Sequence, residues 1–138
     1  MCNSFKQELL QGLHNFTVTT GNVFKAAFYN STATGGTGLT AYSATNEVSG
    51  TGYTAGGYTL TNITPVLDTG TAIVDFADVS QSGVTLSGIR GMLIYNSTNS
   101  NRAVAAFDFG SDQAVTGGGT LQIVFPAAAA ATAIIRIA

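Results

Sequence analysis

Acid–base or nucleophilic catalysis needs a base beside a nucleophile, and this chain holds a single histidine, His14. His14 follows a short amphipathic stretch, and a histidine near a helix C-terminus interacts well with the helix dipole. A structural role is expected for it. No Gly-x-Ser-x-Gly elbow is present. Carboxylates come in two near pairs, Asp75 with Asp78 and Asp108 with Asp112. Calcium needs several oxygen ligands close together. Neither run has a calcium-loop pattern, so solvated carboxylates at strand ends are expected. Asp75 and Asp108 would make a glycosidase pair only on neighbouring strands, and the chain has no Trp to stack on a sugar. Zinc is served worse, by one His and one Cys. Gly35-Gly36-Thr37-Gly38 and Gly117-Gly118-Gly119 lack the Gly-Lys-Ser/Thr ending of a phosphate loop. Asp108-Phe109-Gly110 matches a kinase tripeptide without any other kinase element. The expectation is no catalytic residue, no cofactor and no metal.

Two groups remain that suit contact better than chemistry. Arg90, Arg102 and Arg136 each lie within or beside an apolar run. Each can pair with Asp75, Asp108 or Asp112, or anchor a subunit interface, where Arg is enriched. The second group is Tyr42, Tyr53 and Tyr58, in or beside a long irregular stretch from Asn30 to Gly57. A loop this long is usually functional or disordered, and Tyr with Gly, Ser and Asn is the composition of adaptable recognition surfaces. Tyr42, Tyr53, Tyr58, Arg102 and Arg136 are the candidate interface residues.

The elements that must position these groups are mostly strands. Ser4 and Gln7 fit a capping box, and Phe5, Leu9 and Leu13, widened by Leu10, recur at helical spacing. A helix over about 4–13 is expected, ending near Gly12. Alternation then predicts strands over 23–29, 58–63, 72–77, 83–87, 103–109, 120–125 and 132–138, and the almost wholly apolar run over 91–96 reads as a central strand covered on both faces. In the 72–77 run, Ala72, Val74 and Phe76 should face inward and Asp75 outward. Residues 96–101, rich in Asn and Ser, read as a hairpin loop, and Gly117-Gly118-Gly119 as another turn. With no crossover helix visible, the fold class is mainly β: an antiparallel β-sandwich or an Ig-like or jelly-roll-like domain with one short N-terminal helix. The 138 residues make one domain, with the β part over about 16–138.

Composition narrows the partners. Charged residues make up 9% of the chain and the net charge is -2, against about 25% charged in an ordinary domain. A phosphate footprint needs clustered Lys and Arg, and a polybasic membrane anchor needs the same. Nucleic acid and membrane are therefore not expected as partners. The first residues carry no basic n-region or long apolar run, so synthesis in a cytoplasm without a secretory signal is expected. Four Asn-x-Ser/Thr sequons, at Asn15, Asn30, Asn62 and Asn96, then read as accidents of a Thr- and Asn-rich composition. The lone Cys2 cannot form an intrachain disulfide. It reads as a free, partly mobile thiol, or else as a redox or lipidated one.

Several strings stand in a telling order. Phe5-Lys6-Gln7-Glu8-Leu9-Leu10-Gln11-Gly12-Leu13-His14 opens the chain, and Asn46-Glu47-Val48-Ser49-Gly50-Thr51-Gly52-Tyr53-Thr54-Ala55-Gly56-Gly57 follows. Val74-Asp75-Phe76-Ala77-Asp78, Leu93-Ile94-Tyr95-Asn96 and Arg102-Ala103-Val104-Ala105-Ala106-Phe107-Asp108-Phe109-Gly110 come next. Over nearly its whole length the chain resembles a family of small virion proteins of tailed bacteriophages, often found among head and structural genes. The resemblance implies a non-enzymatic structural protein of the virion, made in the host cytoplasm. Its partners would be the major capsid protein or other virion proteins, and copies of itself. Capsid decoration or cementing is the first expectation. A tail-associated or receptor- or glycan-binding module is the alternative.

Overall fold

A computed structural model describes all residues, 1–138. In chain order the elements are α1 (Asn3–Leu10), β1 (Phe24–Tyr29), a 3-10 turn (Gly36–Gly38), β2 (Tyr58–Leu60), β3 (Asn62–Asp68), β4 (Thr71–Phe76), β5 (Val79–Asn96), β6 (Arg102–Ile123) and β7 (Ile135–Ile137). Strand accounts for 49% of residues and helix for 8%, so the chain is mainly β. Two antiparallel sheets form, ordered β2-β1-β5-β6 and β3-β4-β7, in a β-sandwich-like arrangement. No helix is long and apolar enough to cross a membrane.

The helix is shorter than its apolar stripe suggests. Ser4 lies inside it rather than at its cap, the N-cap is Cys2 with no side-chain cap bond, and the Ser4 hydroxyl is buried without a partner. The buried face is Phe5 and Glu8, while Leu10 is 92% exposed. Cys2 is fully buried and its N–H donates to the Val104 carbonyl at 2.8 Å. The expected mobile thiol is thus fixed, and burial pushes its pKa up. This docks the helix against β6.

Glycine-rich breaks account for the main departures in the strands. The runs at 83–87 and 91–96 belong to one strand, β5, and those at 103–109 and 120–125 belong to β6. These strands have 18 and 22 residues, well beyond the usual 3–10. Their ladder survives by bulging: its register shifts between Gln81 and Val84, Val84 and Leu86, Leu86 and Ile89, and Ile89 and Gly91. Gly117-Gly118-Gly119 is one such irregularity, inside β6, with Gly117 and Gly118 at positive φ. Extra residues on one strand need such backbone, and glycine supplies it without a Cβ penalty. Ser97–Asn101 is the turn that joins β5 to β6, as expected.

Residues 58–63 divide between the sheets. β2 pairs with β1, and β3 pairs with β4. β3 extends to Asp68 across Pro65, which sits where the β3–β4 register slips. An edge strand tolerates the missing N–H at such an irregularity. The C-terminal strand shrinks from 132–138 to Ile135–Ile137.

The core joins the sheets through aromatic rings. Phe16 stacks on Phe24 with centroids 4.4 Å apart, Phe24 lies 5.6 Å from Phe76, and Phe76 lies 5.7 Å from Phe125. In β4, Val74 packs against this core and Phe76 belongs to it, whereas Ala72 is exposed. Asp75, expected in solvent, is instead buried, because this outer side of β4 is covered as well.

Candidate functional site

The seven carboxylates show what the sparse charges are for. Asp75 Oδ1 accepts the N–H of Phe76, Asp78 Oδ1 that of Phe125, and Asp68 Oδ2 that of Ala130. Each ties down backbone that the sheets leave free. Of the four expected strand-end carboxylates, Asp78, Asp108 and Asp112 are solvent-exposed, and only Asp75 is buried. Burial pushes the Asp75 carboxyl up, although the Phe76 N–H opposes this. Asp75 and Asp108 stand on different sheets, β4 and β6, so the neighbouring-strand condition for a glycosidase pair is not met. No three His, Cys, Asp or Glu side chains gather where they would hold a metal ion.

Glu8 and His14 form the one pairing that resembles catalytic machinery. His14 lies beyond the helix end, wedged against Phe5 and Phe16, with centroids at 4.8 and 6.3 Å. Its Nε2 is 2.8 Å from Glu8 Oε2. Arg102 Nη1 donates to Glu8 Oε1 at 2.7 Å. On the other side of the imidazole, Asn96 Nδ2 lies 3.1 Å from Nδ1. The Asn96 amide is oriented by its neighbours: Nδ2 donates to Asn22 Oδ1 at 2.9 Å, and Oδ1 accepts the N–H of Asn99 at 3.1 Å. Nδ1 must then accept, which places the proton of a neutral ring on Nε2, pointing at Glu8. Burial by itself would push the Glu8 carboxyl up. The hydrogen bonds from His14 and Arg102 outweigh it and hold the carboxyl below its usual range. The His14 side chain is 0% exposed, and both ring nitrogens are occupied. No substrate atom can reach it, so the dyad fastens α1 and the following loop to the β5–β6 turn. Nothing in the sequence reading marks Glu8 as a functional residue. Its signal is a charged residue three positions after Phe5, on the buried stripe itself.

A second hub explains the long stretch after β1. Glu47 Oε1 accepts the Tyr53 hydroxyl at 2.6 Å and the Gly56 N–H at 2.8 Å, and Oε2 accepts the Tyr42 hydroxyl at 2.6 Å. The Tyr53 oxygen accepts the N–H of Phe28 at 2.9 Å, and the Tyr95 hydroxyl donates to Gly56 O at 2.7 Å. Tyr42 stacks on Tyr95 with centroids 4.6 Å apart. Burial and the Glu47 charge push the Tyr42 and Tyr53 hydroxyls far above the ordinary phenol range, so both stay protonated. Gly57 seals the contact: at φ +79° its backbone comes so close to Ala26 O that a Cβ would overlap it. Residues 30–57 are thereby an ordered layer over the four-stranded sheet.

Each of the candidate interface residues makes a hydrogen bond within the chain. Tyr42 and Tyr53 hold Glu47, the Tyr58 hydroxyl donates to Gly52 O at 2.9 Å, Arg102 holds Glu8, and Arg136 Nη1 donates to Ala131 O at 2.5 Å. Among the arginines, Arg90 makes the expected aspartate pair, with Nε 2.8 Å from Asp108 Oδ1. Asp108-Phe109-Gly110 is a bulge corner in which the same Oδ1 accepts the Gly110 N–H at 2.8 Å. That bond first, and then Arg90, hold the Asp108 carboxyl below its usual range.

Part of the open surface is apolar. Across the three-stranded sheet, Leu67, Ala72 and Ile137 are register partners in one row. Leu67 is 74% and Ile137 55% exposed. The row shares its face with Val74 and Ile135, which pack into the core one step along the strands. β3 and β7 are both edges of this sheet. Comparison with known protein families, curated proteins and solved structures finds no match to this chain.

Proposed function

We propose that this chain is a structural protein of a tailed-phage virion, decorating or cementing the assembled head. The observation that carries the reading is the Leu67–Ala72–Ile137 row, set between two unpaired strand edges. Exposed edges present free N–H and C=O groups to another chain, and an apolar row beside them marks a contact surface. A capsid lattice offers such a partner in many copies. The chain-long resemblance to virion proteins supports the same reading. So does the low charge, since a contact of this kind is only weakly screened by salt. Binding the assembled lattice better than free subunits would raise particle stability.

The test is to strip particles of the protein and measure the temperature of DNA release. Release should occur at lower temperature and recover on add-back, in moderate as well as low salt. Leu67→Asp protein, folded by circular dichroism, should fail to restore it. A handful of copies per virion, or a position in the tail, would refute the cement role. The tail-associated reading would then take over.

A further inference from the structure

On the face of the four-stranded sheet turned away from the aromatic core, Tyr29, Gly91 and Asp108 are cross-strand partners on β1, β5 and β6. The middle position is bare. A Cβ at Gly91 would stand 2.6 Å from the carbonyl oxygen of Phe107, so only glycine fits the strand spacing there. A tyrosine ring and a carboxylate thus flank half-buried backbone. The chain between Asn30 and Asn46 passes over this row, and a cleft of about 600 Å³ lies between them. Small-molecule sites fall in the range of about 300–1,000 Å³.

The polar groups around it are only partly used. Asp108 spends Oδ1 on Arg90 Nε and the Gly110 N–H, which leaves Oδ2 as an uncommitted acceptor. Arg90 Nη1 stands 3.8 Å from Asp112, too far for a hydrogen bond, so it remains a donor. Thr34 and Thr37 line the roof. The Tyr29 hydroxyl is spent on Ser43 O at 2.7 Å, and burial pushes its pKa up to about 12. It therefore contributes a neutral side wall. One guanidinium set against two carboxylates gives the mouth a net negative charge. That disfavours phosphates and acidic sugars. An adjacent donor and acceptor beside an apolar wall matches a pair of neighbouring hydroxyls on a ring.

We propose that this cleft binds a neutral saccharide, with Asp108 Oδ2 and Arg90 Nη1 engaging a vicinal hydroxyl pair and Tyr29 forming the apolar wall. The site lies on the other sheet from the Leu67–Ala72–Ile137 row and stands independently of the cement reading. It would let a particle-bound copy hold a glycan at a cell surface.

The full-length protein, labelled with nitrogen-15, is titrated by NMR with glucose, galactose, N-acetylglucosamine and maltose, and with glucose 6-phosphate and N-acetylneuraminate as anionic probes. At least one neutral sugar should shift the amides of Tyr29, Gly91 and Asp108 at millimolar concentration, and the anionic probes should not. Asp108→Ala lies on an exposed side chain and should keep the folded spectrum while weakening that sugar at least tenfold. It should still restore stripped particles, so a failed cement role and a failed sugar site are separable. No shift with any neutral sugar, shifts confined to other residues, anionic sugars binding equally well, or undiminished binding by folded Asp108→Ala protein would each overturn the proposal.

Discussion

Glu8 and Leu10 reverse the roles that hydrophobicity alone would assign them, and the reversal is measurable. Glu8→Ala removes the acceptor of both His14 and Arg102. A hydrogen bond to a charged group contributes about 1.5–3 kcal/mol. The Arg102 side chain is 38% exposed, so water replaces most of what it loses, as at surface ion pairs. The His14 side chain has no such access, and its Nε2–H is left buried and unpaired. Relief from burying the carboxylate offsets part of the loss. The net cost should be about 2–3 kcal/mol, or roughly 6–12 °C in melting temperature for a domain of this size. Leu10→Ala should stay within about 0.5 kcal/mol, as surface substitutions do. Thermal and urea unfolding of both variants at neutral pH, read by circular dichroism, decides between them. Glu8→Gln adds a pH test. Because the folded Glu8 pKa is depressed, its contribution is present above the unfolded value of about 4.3 and is lost as pH falls through the lower folded value. The gap between wild type and Glu8→Gln should therefore close on acidification. A Leu10→Ala cost equal to that of Glu8→Ala, or a Glu8→Gln gap unchanged down to strong acid, would refute the reasoning.

Asp75 has the opposite sign. Its folded pKa is raised, so its ionisation opposes folding at neutral pH. Asp75→Asn, which keeps an acceptor for the Phe76 N–H, should raise the melting temperature at neutral pH and leave it unchanged in strong acid. Tyr53→Phe strands the Phe28 N–H and one Glu47 contact and should cost about 1–3 kcal/mol. Limited proteolysis should then cut within 30–57 sooner than in wild type. Gly57→Ala meets the Ala26 carbonyl group head-on, while Gly110 has a similar positive φ and open space. Gly110→Ala should cost about 1–2 kcal/mol for the left-handed backbone alone, and Gly57→Ala clearly more, by urea unfolding.

Much of the architecture is local and stands in the sequence. Alternation at 23–29, the apolar run at 91–96, the Asn/Ser turn after Asn96 and the low charge are enough for an antiparallel β domain with a short helix in front. Periodicity of 2 or 3.6 is a property of neighbouring residues, and those residues suffice to reveal it. The glycines at 117–119 read as a turn because the positive φ that Gly117 and Gly118 adopt serves a turn and a bulge alike. Whether the chain reverses or runs on depends on a partner strand more than twenty residues away. The same holds for the polar groups. Nothing near Glu47 in sequence tells that its carboxylate will hold Tyr42 and Tyr53 at once. Nothing near Glu8 tells that Arg102, ninety-four positions on, will neutralise it inside the core. A tyrosine-rich loop therefore reads as a free surface until the tertiary structure spends its hydroxyls inward. The surface left over, an apolar row on one sheet and a bare glycine floor on the other, is set by strand register. One-residue register decides which side chains share a face, and that register exists only once the strands have paired.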